Sequence, residues 1–165
     1  MAIAWQGKFI EVHVDGKWEY VSRTRAIRAA VILAIDAEDH VLLVEQHRVP
    51  LDRACLELPA GLVGDDSEGE DAADAARREL EEETGYRAGS IEPVGEFYSS
   101  PGMVSESFTL FRARDLTRVG DGGGVEGEGI TVHRVPRAEV AAFVTEQRAA
   151  GMGIDVKLLL FMNLI

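Results

Sequence analysis

The sequence predicts one α/β domain, in which helices cover a mixed central sheet and a two-stranded β-hairpin lies at the N-terminus. The first observation is length, because 165 residues suffice for one compact domain. The second is the order of patterns, in which short aliphatic runs surround one Ala- and Glu-rich segment and precede helical patterns near the C-terminus. We therefore expect residues 1–165 to form a single α/β/α sandwich, with the hairpin within residues 1–25.

Strands are indicated by alternating or β-branched runs. Apolar and polar residues alternate from Lys8 to Val21 around a turn at residues 15–17, which is typical of a β-hairpin. Ala29 to Ile35 and Val41 to Val44 are aliphatic runs of strand length. Further strands are expected at residues 90–98, 107–114 and 130–135.

The main helix is predicted from about Asp71 to Thr84, because an Ala-, Glu- and Arg-rich segment ends there at Gly85, a natural C-cap. Helical patterns also cover residues 137–149 and an apolar stretch from Asp155 to Leu164. Residues 119–129 are so rich in glycine and acid that we expect a mobile loop.

Composition excludes several classes of partner. A formal charge of −12 argues against binding to nucleic acid or an anionic membrane, since both require clustered cations. No apolar run has the length of a membrane span and no signal peptide is evident, while the single Cys55 fits a reducing compartment. We expect a cytoplasmic protein whose phosphorylated substrates would require divalent cations.

Residues 64–86, GDDSEGEDAADAARRELEEETGY, carry the pattern that points to chemistry. At about 100° per residue, Glu79, Glu82 and Glu83 share one helix face and Glu81 points away. Three carboxylates on one face repel each other unless a cation lies among them, and Mg²⁺ or Mn²⁺ suits oxygen ligands. An acidic run alone is more often a solvated face, so the spacing of the whole segment decides between the two interpretations.

That spacing resembles the Nudix box at every defined position, which are Gly64, Glu70, Arg78, Glu79, Leu80, Glu82, Glu83, Gly85 and Tyr86. Glu57-Leu58-Pro59-Ala60-Gly61 before the box, and Ser100-Pro101-Gly102 with Ser105-Glu106 after it, resemble the ADP-ribose pyrophosphatase branch of that family. The resemblance implies a Nudix-type sandwich. It also implies Mg²⁺-dependent hydrolysis of a pyrophosphate bond, foremost that of ADP-ribose, to give AMP and ribose 5-phosphate.

The resemblance also implies roles for individual residues. The Ala60 carbonyl, Glu79 and Glu83 would bind metal, Glu82 would support the cluster, and Arg78 would orient the carboxylates. Glu126 in the glycine-rich loop would be the general base and Glu128 an added metal ligand, although the two roles remain interchangeable and composition alone favours a solvated loop. The expected substrate-binding residues are Arg23, Arg48, Leu62, Ser100, Gly102 and Glu106.

The chain departs from the usual family pattern in one place, and more than one substrate fits the resemblance. Relatives usually begin the box at the glycine of Pro-Ala-Gly, here Gly61, so this chain carries three additional residues before Gly64, in a loop where added length costs little. Alternative substrates are another nucleotide sugar, a dinucleotide or NADH. A non-catalytic nucleotide-sensing domain would be expected to have lost carboxylates that this chain retains. The hairpin suggests a homodimer, as in similar enzymes.

Overall fold

The computed structural model describes residues 1–64 and 69–159 and has the predicted α/β fold. The strands are β1 (Ala2–Gln6), β2 (Ile10–Asp15), β3 (Trp18–Arg23), β4 (Arg28–Ala34), β5 (His40–Arg48), β6 (Arg53–Glu57), β7 (Ala60–Val63), β8 (Tyr86–Tyr98), β9 (Ser107–Arg118), β10 (Thr131–Pro136) and β11 (Gly153–Ile154), and the α-helices are α1 (Ala72–Thr84) and α2 (Val140–Ala149).

The central sheet of the prediction consists of two four-stranded sheets in the described residues. Their strand orders are β10-β5-β6-β11 and β7-β4-β9-β8. Both are mixed, because β4 pairs with β9 and β6 with β11 in parallel while their other pairs are antiparallel. The predicted hairpin is present as β2 and β3, and β1 adds a third strand that the sequence analysis did not anticipate.

The core lies on both faces of β4, whose residues 30–34 are at most 1% exposed. Successive strand residues point to opposite faces. Ile32 packs in the cluster with Ala76 and Leu80 of α1, whereas Leu33 packs in the cluster that includes Val140 of α2. Burial of each Ile, Leu or Val side chain among them stabilises the fold by roughly 1.5–3 kcal/mol. The two helices therefore cover opposite sides of the sheet region, as a sandwich requires.

Helix α1 has the boundaries that its capping residues predict. Asp71 accepts a hydrogen bond from the Ala73 N–H at 2.8 Å, and Gly85, at φ 74°, donates its N–H to the Glu81 carbonyl at 2.9 Å. Ala76 and Leu80 are fully buried against the sheet. This packing fixes the rotation of the helix, and with it the direction in which its glutamates point.

Two segments differ from the expected elements. Residues 137–139 form a 3₁₀ turn, so α2 begins three residues later than the predicted helix. Half of the predicted helix from Asp155 to Leu164 lies outside the described residues. Within its described half, residues 157–159 are helical. In the part of the chain that is described, no helix is long and apolar enough to cross a membrane.

Candidate active site

A cleft of about 860 Å³ lies beside the face of α1 that carries Glu79, Glu82 and Glu83. Glu81 faces away from it and pairs with Arg87 at 2.8 and 2.9 Å, as helical spacing predicts. The other walls come from β7, the end of β5, the start of β9, the glycine-rich loop and residues 154–157. Residues distant in sequence thus meet at one acidic helix face.

Glu83 is the most buried carboxylate of this face, at 6% exposure. Burial raises its pKa to about 8, and the negative charges of Glu79 and Glu128 act in the same direction, against the hydrogen bond from Ala60 and the charge of Arg48. The Ala60 N–H donates to Glu83 Oε2 at 3.0 Å. A buried carboxylate beside others of like charge is a group that a bound cation would stabilise.

Arg78 organises the exposed side of the cluster. Its Nη1 donates to Glu79 Oε1 at 2.8 Å and to Glu82 Oε2 at 3.2 Å, and its Nε donates to Glu70 Oε1 at 3.3 Å. Glu70 in turn accepts the Gly64 N–H at 3.1 Å. One guanidinium therefore connects the start of the box with two helix carboxylates, which is the geometry that an orienting role requires.

The donor set fits a hard divalent cation in kind, because several carboxylates and the backbone of Ala60 line one cleft. The carboxylates do not converge as a ready-made site: within residues 1–64 and 69–159, no group of three or more His, Cys, Asp or Glu is arranged to hold a metal ion. Glu79 and Glu82 point their oxygens at Arg78 instead. Their charge is balanced by ion pairing in this structure.

Arg48 lies on the cleft wall at the end of β5. Its Nε and Nη2 donate to the two oxygens of Glu57 at 2.6 and 2.9 Å, and this hydrogen bonding raises the pKa of Arg48. Glu57 is 4% exposed, so it depends on that partner. In the sequence Glu57 is only part of a family motif, and the structure adds it as the residue that holds Arg48 in place.

Arg23 and Glu106, both expected to bind substrate, form an ion pair on the cleft wall. Leu62 also lines the cleft. Ser100 and Gly102 are not among the described lining residues, whereas Ser99 is. The Ser100 carbonyl instead accepts the N–H groups of Met103 and Val104 at 2.9 Å, so this segment forms a turn in the structure.

The two glutamates of the glycine-rich loop are placed differently. Within the described part of that loop, Glu128 lines the cleft and Glu126 does not. Glu128 Oε2 accepts the Val125 N–H at 2.9 Å, and its charge acts on both Glu79 and Glu83. Glu128 is therefore the loop carboxylate that faces the helix cluster in this structure.

Lys157 and Asp155 are cleft residues that the sequence analysis missed. They form an ion pair, and the Lys157 ammonium lies 5.8 Å from the centroid of the Phe108 ring. The sequence predicts that this segment begins an apolar helix, and no local pattern indicates that its two charges meet a distant cleft. They add one cation and one anion to the wall formed by residues 154–157.

Comparisons with known proteins agree with this architecture. A family model described as NUDIX domain matches residues 24–152. The chain is 35% identical over 119 residues to an ADP-ribose pyrophosphatase of Bacillus subtilis (strain 168), covering 68% of this chain and 63% of the relative. It is 40% identical over 119 residues to a GDP-mannose pyrophosphatase of Cronobacter sakazakii (strain ATCC BAA-894), covering 67% and 60%. The chain thus spans about three fifths of the length of these two relatives.

A solved structure titled as that of an ADP compounds hydrolase shares the fold. The TM-score is 0.68 at 23% identity, and the match covers 87% of this chain and 80% of the other. At that identity the likeness supports the fold and the arrangement of its layers.

Proposed function

The chain belongs to the Nudix family of hydrolases, and we propose that it hydrolyses the pyrophosphate bond of a nucleoside diphosphate linked to a second moiety. ADP-ribose is the first candidate, with AMP and ribose 5-phosphate as products. The observation that carries the proposal is one cleft lined by Glu79, Glu82 and Glu83 on one side and by Arg23 and Arg48 on another. Such a cleft suits an anionic substrate that is bridged by cations.

The residues that would hold Mg²⁺, or Mn²⁺ in its place, are Glu79, Glu83, Glu128 and the Ala60 carbonyl. When bound, the cation would neutralise the pyrophosphate and position a water for in-line attack. The raised pKa of Glu83 supports the assignment, because a cation would offset the cost of the buried charge. Arg78 would hold Glu79 and Glu82 in place.

The basic wall would bind the substrate. Arg48, held by its hydrogen bonds to Glu57, lines the cleft and would contact phosphate oxygens. The Arg23–Glu106 pair offers donors and an acceptor to the polar groups of the substrate, and Leu62 offers an apolar contact.

Proton removal from the attacking water would fall to a loop carboxylate, while the bridging P–O bond breaks and the second phosphate leaves. The family resemblance favours Glu126, and the position of Glu128 in the cleft favours Glu128. In a comparison of Glu126→Gln with Glu128→Gln, the base is the residue whose loss lowers kcat while Mn²⁺ affinity stays nearly intact. Equal loss of both quantities would identify a ligand.

A substrate panel tests the proposal directly. Incubation with ADP-ribose, other nucleotide sugars, dinucleotides and NADH, with Mg²⁺, Mn²⁺ or a chelator, should give the highest kcat/KM for ADP-ribose and no turnover with chelator. Absence of turnover on every member would overturn the enzymatic proposal and favour a nucleotide-sensing domain.

The helix carboxylates have a matched pair of test variants. Glu83→Gln should lower kcat by about 100-fold or more, because a buried carboxylate in the cleft is lost. Glu81→Gln removes a carboxylate of the same helix that pairs with Arg87 outside the cleft and should retain near-normal turnover. Near-normal activity of Glu83→Gln at saturating Mg²⁺ would contradict the assignment of Glu83 as a metal-binding residue.

GDP-mannose is a second candidate substrate, because one relative at 40% identity is named as a GDP-mannose pyrophosphatase. The carboxylates and arginines would serve either substrate, since both carry a pyrophosphate. A higher kcat/KM for GDP-mannose in the panel would change the substrate assignment and leave the reaction class unchanged.

We also propose that residues 1–165 act as one domain, in the cytoplasm, and as a homodimer. The free, buried Cys55 is consistent with a reducing compartment. The sheet β1-β2-β3 exposes Ile3, Trp5 and Trp18, which supports a second copy as the partner of this sheet.

A further inference from the structure

The segment of residues 119–124, here called the helix-end segment, is hydrogen-bonded to the C-terminal end of α1. The N–H groups of Val119 and Gly120 donate to the Gly85 carbonyl at 2.8 and 3.0 Å. Gly123 donates to the Glu83 carbonyl at 2.8 Å and Gly124 to the Glu82 carbonyl at 3.0 Å. The last carbonyls of a helix lack partners within the helix, so this segment satisfies the carbonyls of two cleft residues.

Gly122 allows this close approach. It has φ +70°, and a Cβ at this position would lie 2.5 Å from the Thr84 carbonyl carbon, 2.6 Å from the Glu83 oxygen and 2.8 Å from the Gly85 nitrogen. All three are backbone atoms of the helix end, which cannot rotate away as a side chain could. A side chain at 122 would therefore push the helix-end segment off α1.

The same contacts determine where Glu128 lies. After Gly124 the chain turns back, and the Ile130 N–H bonds to the Gly123 carbonyl at 3.2 Å, with Ile130 buried. A Cβ on Gly124 would lie 2.3 Å from Glu128 Oε2. The Glu128 carboxylate therefore occupies the space that any side chain at position 124 would need. The helix-end segment and the position of Glu128 in the cleft are thus one connected structure.

We propose that Gly122 and Gly124 are positioning residues for Glu128. Gly122 allows the helix-end segment to approach the backbone of α1 closely. Gly124 leaves the space that the Glu128 carboxylate occupies on the side of Glu79 and Glu83. The inference rests on the proposed function, because it assigns the Glu128 carboxylate to the hydrolytic cleft. It adds that the loop is attached to the same helix end whose side chains it faces.

The test uses Gly122→Ala and Gly124→Ala, with Gly129→Ala as the matched control. Gly129 has φ +61°, close to that of Gly122, but within the described residues nothing lies within 4 Å of a Cβ there. The control therefore reproduces the backbone strain without the collision. Far-UV circular dichroism and thermal unfolding establish which variants are folded. If Gly122→Ala does not fold, Gly124→Ala still tests the proposal.

Three readouts separate positioning from a general structural effect. Hydrogen exchange of the peptide that contains Gly123 and Gly124 should be about tenfold faster in Gly122→Ala than in wild type and unchanged in Gly129→Ala. Mn²⁺ affinity should change by the same factor in both test variants as in Glu128→Gln, because each substitution removes the same carboxylate from its position. With ADP-ribose, kcat should fall by about tenfold or more while KM changes little.

A double-variant comparison gives the decisive result. If Gly122 acts through Glu128, Gly122→Ala should cost less than about twofold in kcat in the Glu128→Gln background. Full multiplication of the two losses, unchanged exchange in Gly122→Ala, or equal losses in Gly129→Ala would overturn the inference. If the wild type turns over no substrate, the proposed function fails. The hydrogen-exchange rates and the Mn²⁺ affinities of the variants still decide whether Gly122 and Gly124 position Glu128.

Discussion

The Glu79 carboxylate packs directly against Gly61. A Cβ at position 61 would lie 1.9 Å from Glu79 Cδ. Its backbone φ is one that other residues adopt, so the need for glycine comes from the neighbour alone. The space open to this helix carboxylate thus depends on a residue of the strand that faces it.

Gly61→Ala should displace the Glu79 carboxylate and lower Mn²⁺ affinity roughly tenfold or more, as changes around metal ligands commonly do. Titration calorimetry with Mn²⁺ measures the effect. Gly95→Ala is the control, because a Cβ there would make only ordinary contacts with Phe97 at 3.5 and 3.6 Å. Unchanged affinity in Gly61→Ala would show that the carboxylate moves without cost.

Cys55 lies on the cleft wall but should react slowly. Burial, assisted by the nearby negative charge of Glu57, raises its pKa from 9.0 to about 11. A raised thiol pKa means that the unreactive protonated form persists to higher pH, so the thiolate fraction at pH 8 should be about 100-fold below that of an unshifted thiol.

Iodoacetamide labelling at pH 8 should therefore be about 100-fold slower for the native protein than for the urea-unfolded chain, and the rate for the native protein should still be rising at pH 10. Mass spectrometry measures the labelled fraction. A plateau near pH 9 in the native protein would contradict the raised pKa.

At the scale of elements, the N-cap Asp71 sets where α1 begins, and the buried face of the helix sets its rotation. Asp71→Ala removes the acceptor of the Ala73 N–H and should lower the free energy of unfolding by about 1 kcal/mol. Asp74→Ala, which loses an exposed pair with Arg77, should cost less than about 0.5 kcal/mol. Urea unfolding compares the two, and equal costs would rule out a special contribution of the cap.

The strands place the basic side of the cleft. Arg48 ends β5, and its partner Glu57 ends β6, which pairs with β5 so that Arg48 lies opposite Arg53 and Glu57 opposite Val44. Glu57 thus lies four positions along β6 from the residue opposite Arg48, and the long side chains of Arg48 and Glu57 bridge that distance. This ion pair holds the Arg48 guanidinium beside the cleft, where its planar set of N–H donors can bind phosphate oxygens.

At the scale of the whole molecule, the N-terminal sheet presents an apolar surface. Trp5 and Trp18 are 55% and 64% exposed. A stable dimer through this sheet would bury them, since large aromatic side chains supply much of the energy of interfaces.

Light scattering coupled to gel filtration should give about twice the 18.0 kDa mass of one chain. Trp18→Glu should shift the protein toward the monomer, because it introduces a charge into the proposed interface. Val94→Glu alters a partly exposed apolar residue of β8 and should leave the mass unchanged. A monomeric wild type would remove the dimer proposal.

Features governed by local physics could be predicted from the sequence. The caps Asp71 and Gly85 delimit α1, and the helical period separates Glu81 from the three cleft glutamates. The turn at Gly16 and Lys17 joins the expected hairpin. Caps, turns and periodicity act over a few residues, so the order of residues along the chain contains them directly.

Features that depend on distant partners were decided by the tertiary structure. Arg23 and Glu106 are 83 residues apart and meet in one ion pair, and strand β7 exists because residues 60–63 pair with β4. Glu128 lines the cleft and Glu126 does not, and this placement follows from the packing of the helix-end segment against the end of α1. Such contacts have no period in the sequence, since they arise only when packing of the core brings separate segments together.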